Sequence, residues 1–167
     1  MTFMPGDLTT FEAAIISACE KHEDDHGNDL GYRPCVVAEG VFIKFDDYEL
    51  LYPQFQTQGY IFQCAKGDMS APRVPEILHF FHRDYETAYM VMEYIKLVPP
   101  PVLDLPQKAA MAIQWLRDLP VPSDRVRIGP LGSGCAWHML FKECEAPLSF
   151  SSIQALERYL NKVLIFS

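Results

Sequence analysis

The sequence predicts an α+β fold. Two pairs of short apolar, β-branched runs bracket a helical stretch, and segments with helical periodicity flank them on both sides. Each run pair encloses turn chemistry: Glu39-Gly40 in the first, Arg83-Asp84-Tyr85-Glu86 in the second. The 167 residues fit one domain, or one lobe and part of a second.

Residues 7–22 place Phe11, Ile15, Ala18 and Cys19 on one stripe at helical spacing. Thr9 and Thr10 are candidate caps, and Glu12 and Glu20 fall on the solvent face. The run EKHEDDHGND ends this helix in a solvated turn, where Gly27 or Asn28 can take positive φ. Residues 33–38 and 41–45 read as two strands about the tight Glu39-Gly40 turn. Residues 52–65 read as a helix with Phe55, Tyr60, Ile61 and Cys64 on its apolar side, closed by Lys66-Gly67-Asp68. Pro72 and Pro75 enforce an extended entry. Residues 76–82 and 87–95 then form a hairpin, so four strands are legible. Residues 98–102, VPPPV, are a stiff linker and the clearest boundary, separating a first unit, 1–95, from a second, 96–167. Beyond it lie an amphipathic helix at 105–119, a glycine-rich loop at 128–135, and a helix at 151–164. Ser149 or Ser151 would cap that last helix, and Ile153, Leu156, Leu160 and Leu164 would be its buried face.

Composition excludes several classes. The net charge is −8 and no basic stripe is visible, which argues against nucleic acid, whose phosphates demand clustered Lys and Arg. No apolar run approaches the roughly 20 residues that span a bilayer, and the first residues lack signal-peptide character. Five widely spaced cysteines without a CxxC pair read as reduced thiols. These features predict a soluble cytoplasmic protein.

Cys19-x-x-His22-x-x-x-His26 has a spacing that suits one helical face, but no fourth ligand is near and the surroundings are a charged helix end, so no metal is assigned. Gly129-Pro-Leu-Gly132-Ser133-Gly134 has no following Lys-Ser/Thr and is no P-loop. Trp137 and His138 beyond it are candidates for a substrate rim. His79 and His82 fall on opposite strand faces and cannot form one site.

The informative constellation is VFIKF at 41–45, followed by APRVP at 71–75 and YMVMEYI at 89–95. With a strand period of two, Val41, Ile43 and Phe45 share one face, and Phe42 and Lys44 the other. An ammonium beside an aromatic ring suits a nucleotide: charge for the phosphates, a ring for the base. In this order the parts resemble the aminoglycoside phosphotransferase-like branch of the protein-kinase-like superfamily, of the fungal type, and the likeness covers most of the chain.

By that resemblance, Lys44 pairs with the α and β phosphates of ATP, Phe42 lies against adenine, and Met92 is the gatekeeper. The Glu93 carbonyl and Ile95 amide meet the adenine edge, with Mg²⁺ as the companion ion. The helix position that orients the lysine falls near Gln54, where relatives carry glutamate; Glu49 is a nearby substitute. The resemblance implies a kinase-like N-lobe and the helical start of a C-lobe. His-x-Asp occurs at His22-Glu23-Asp24 and His82-Arg83-Asp84, but neither continues as His-x-Asp-x-x-x-x-Asn and both precede the 89–95 segment, so no catalytic residue is assigned and phosphate transfer by this chain alone is not expected. The alternative is a non-catalytic, pseudokinase-like binding or regulatory module. The apolar helical stripes would offer a surface to a second copy or a protein partner.

Overall fold

The chain is α+β. The computed structural model describes residues 5–96, 104–122, 128–131, 135–136, 141 and 144–165. Helix α1 (Pro5–His26) leads into strands β1 (Cys35–Ala38) and β2 (Val41–Asp47). Helix α2 (Tyr48–Ala65) follows without a loop, then β3 (Ile77–Arg83) and β4 (Thr87–Glu93). Helices α3 (Leu105–Arg117) and α4 (Ile153–Ile165) come last. The four strands form one antiparallel sheet in the order β1-β2-β4-β3.

The two-residue turn sets the first register. Glu39 and Gly40 both have positive φ, 51° and 75°, the combination a two-residue hairpin turn demands. Ala38 therefore pairs with Val41, Val37 with Phe42, and Cys35 with Lys44. In the β2–β4 ladder Val41 pairs with Glu93, Phe42 with Met92, Ile43 with Val91 and Lys44 with Met90.

Strand periodicity then sorts the side chains into two cores. On one face Ile43, Phe45, Tyr89 and Val91 pack with Ile15 and Cys19 of α1. On the other, Ala88, Met90 and Met92 pack with Leu51 of α2, and Phe42, Tyr48, Phe55, Ile77 and Phe80 close around them. Phe55 stacks on Phe80 at 4.3 Å between ring centroids.

Several boundaries differ from the sequence expectation. Helix α1 starts before Thr9 and Thr10, which lie inside it, and it runs through the charged segment to His26, because solvated Glu, Lys and Asp side chains do not oppose helix. The Gly27 amide donates to the Glu23 carbonyl at 2.7 Å, and the positive φ falls at Gly31. Glu12 is half-buried and accepts from His79 Nε2 at 2.7 Å, tying α1 to β3. Helix α2 begins four residues earlier than expected and carries Pro53 within it; its buried residues are Leu51 and Pro53. The cap of α4 is Ser152, whose Oγ accepts from the Ala155 amide at 3.1 Å. Ile153 is 65% exposed rather than buried; Ala155, Leu156, Tyr159 and Leu160 face Phe141 and Phe150 instead. The linker at 98–102, the loop glycines 132 and 134, Trp137 and His138 lie outside the described residues. No helix among the described residues is long and apolar enough to cross a membrane.

The segment after the linker is fastened to α2 and to the turn that follows it. Trp115 Nε1–H donates to Asp68 at 2.8 Å. The Tyr60 hydroxyl donates to the Pro120 carbonyl. The Leu131 amide donates to Thr57 Oγ1 at 3.3 Å.

Candidate functional site

The lysine-bearing strand and the strand that leads into residues 93–95 are hydrogen-bonded neighbours. This adjacency brings Phe42, Lys44 and Met92 onto one surface, since alternate residues of paired strands share a face. Phe42 and Lys44 lie roughly 7 Å apart along the strand, by two residues of rise.

Helix α2 lies over β4, β3 and β2, where its Leu51 and Phe55 find Met90, Met92 and Phe80. The β1 end of the same face is open: Val37, the partner of Phe42, is 47% exposed. The surface bounded by Cys35, Val37, Phe42 and Lys44 is thus a half-covered sheet face with an apolar floor. Lys44 is half-buried, and no hydrogen bond or ion pair joins its amine to another described residue.

Gln54 makes no hydrogen bond to Lys44. It is exposed, and its amide nitrogen donates to the Leu50 carbonyl of its own helix at 3.2 Å. Glu49 is exposed as well and makes no ion pair with a described residue.

At the end of β4, the Glu93 amide donates to the Glu76 carbonyl at 2.9 Å, and its carboxylate pairs with Arg73. No hydrogen bond joins the half-buried Ile95's amide to another described residue. Glu93 also lines a cleft of about 540 Å³ together with Phe62, Lys66, Pro72, Arg73 and Glu76. Asp68, also in its lining, accepts from the Ser70 hydroxyl at 2.6 Å, the Ser70 amide at 2.8 Å and Trp115; these bonds hold its carboxyl down at about 2.

The Cys19, His22 and His26 spacing does not gather ligands. Cys19 is buried in the α1 core, and burial, with Glu20 and Glu23 nearby, pushes its thiol up to about 12. His22 Nε2–H donates to the Arg33 carbonyl at 3.1 Å, and His26 pairs with Asp29 at 2.9 Å. No group of three or more metal-ligating side chains exists among the described residues.

Cys35 and Val37 are the members of the open surface that periodicity within VFIKF does not reveal. The signal for them was present in Glu39-Gly40: a two-residue turn dictates which residue of the first strand sits beside Phe42 and which beside Lys44.

No protein-family model matches the chain, and comparison with curated proteins and with solved structures finds no match.

Proposed function

We propose that the chain carries a kinase-like, nucleotide-binding lobe, residues 1–95, followed by a linker and the helical start of a second lobe, 96–167. ATP with Mg²⁺ is the ligand. The observation that supports this reading above others is the direct pairing of the Lys44 strand with the Met92 strand, with Phe42 opposite Met92 on a face that α2 leaves half open. The lysine would neutralise phosphate oxygens, the ring would meet the base, and the main chain at Glu93 and Ile95 would meet its edge. The related activity is that of an aminoglycoside- or choline-type small-molecule phosphotransferase. The five cysteines are free, which suits a cytoplasmic setting where ATP is abundant.

A second reading, a pseudokinase-like module that binds nucleotide without transferring phosphate, is favoured by an uncharged Gln54 whose amide is spent on the Leu50 carbonyl rather than on Lys44. An efficient phosphotransferase holds that amine with a carboxylate. One experiment separates the cases. Thermal unfolding is followed with and without millimolar ATP and Mg²⁺, for the native chain and for Lys44→Ala, beside an assay for ATP turnover. Stabilisation lost in Lys44→Ala, without turnover, supports the binding module. Turnover lost in the same variant supports the enzyme. No stabilisation of the native chain removes both.

A further inference from the structure

We propose that the free edge of β1 pairs, antiparallel and about a two-fold axis, with β1 of a second copy, so that two four-stranded sheets join into one. This interface does not depend on the nucleotide reading.

The two edges of the sheet are built differently. The β3 edge carries a register irregularity between Ile77 and His79, with His79, His82 and Arg83 along it and Pro75 and Glu76 before it. Bulges, charges and prolines are the devices that stop edge strands from pairing. The β1 strand has no bulge, and Cys35-Val36-Val37-Ala38 carries no charge or proline; Pro34 just before it turns its carbonyl to β2, and the charges beside the strand, Arg33 and Glu39, are of opposite sign.

The outward groups can be identified. Pro34 accepts from the Phe45 amide at 3.0 Å, so Pro34 and Phe45 bond across the ladder. Bonded pairs alternate in an antiparallel ladder, so Val36 and Ala38 point their amides and carbonyls at β2. Val37 then points both its N–H and its C=O outward. Cys35 points its carbonyl outward, while its own amide donates to the Arg33 carbonyl at 2.7 Å. No described strand meets these groups.

This pattern is self-complementary. With Val37 on the two-fold axis, the two Val37 residues exchange both backbone bonds, and their half-exposed side chains meet. The same register sets Glu39 of each copy opposite Cys35 of the other, with Arg33 at the diagonal position, within reach of a long side chain. Arg33 and Glu39 are exposed, and neither has an ion-pair partner among the described residues. Each would gain one from the other copy, twice per dimer. The chain as a whole is acidic, yet this edge is locally balanced, which favours a second copy over a strand of unrelated charge. A four-residue edge makes a short ladder, so the dimer is weak and concentration-dependent.

The test is sedimentation of the full chain over a dilution series. The native chain moves from dimer to monomer on dilution. Val37→Pro abolishes the dimer without loss of a ladder bond to β2, because the Val37 amide has no partner among the described residues; circular dichroism reports whether the fold is kept. Should that variant misfold, charge reversal decides. Arg33→Glu and Glu39→Arg each raise the dissociation constant roughly tenfold, and the double variant returns it to within about threefold of the native value. A native chain that is monomeric throughout, a folded Val37→Pro dimer, or a double reversal without rescue overturns the proposal.

Discussion

Phe42 lies directly opposite Met92 in the β2–β4 ladder, and both belong to the core that includes Leu51 of α2. The ring therefore serves the fold as well as the open face, whereas the neighbouring Lys44 amine has no described partner. Phe42→Ala is expected to cost about 1–3 kcal/mol, since the ring is only partly buried. Lys44→Ala is expected to stay within about 0.5 kcal/mol of the native chain. Urea denaturation measures both. If nucleotide binds as proposed, both substitutions weaken it, and only the first also lowers stability.

The alternation of β strands predicts a sharp contrast between near neighbours. Ile43 is 0% exposed and sits between Val36 and Val91, so Ile43→Ala should cost about 2–5 kcal/mol. Val37 is 47% exposed on the open side, and Val37→Ala should cost about 1 kcal/mol or less. Equal losses in denaturation midpoints would show that β1 and β2 do not pair in this register.

Asp68 couples the turn after α2 to α3 through Trp115. Its carboxyl is depressed from 3.8 to about 2 by its bonds to Ser70 first and to Trp115 second. The stabilisation it provides is full above 3.8 and is lost as the pH falls toward about 2. Trp115 should therefore become more accessible to a fluorescence quencher across that window. Asp68→Ala should show the accessible signal already at neutral pH, with the sheet intact.

Cys19 and Cys144 should differ in reactivity. Burial, then Glu20 and Glu23, raises the Cys19 thiol from 9.0 to about 12, whereas Cys144 is exposed. A thiol reagent near neutral pH should modify Cys144 in the folded protein and Cys19 only after denaturation. The folded state holds the Cys19 proton more tightly than the unfolded chain does. Its contribution to stability is thus full below 9.0 and declines as the pH rises toward about 12. Cys19→Ala should flatten that alkaline decline.

Local chemistry determined much of this protein from the sequence alone. The period of two in VFIKF separated Val41, Ile43 and Phe45 from Phe42 and Lys44, because strand side chains must alternate and one set must be buried. The turn residues at Glu39-Gly40 and Arg83–Glu86 placed two hairpins, and Lys66-Gly67-Asp68 ended α2. Helix ends were less legible. The charged tail of α1 and the first turn of α2 are held by their place against the sheet and by solvent, not by cap residues.

What only the tertiary structure decided is the arrangement of these pieces. The pairing of β2 with β4, residues some 45 apart in sequence, is long-range and carries no local signature. The direction of Gln54 depends on how α2 rolls on the sheet, and that is set by Leu51 and Phe55 seeking Met90, Met92 and Phe80. The same roll leaves Val37 uncovered and the β1 edge free. Burial of the largest apolar area, summed over the whole fold, fixes such choices, and a single strand or helix does not hold that information.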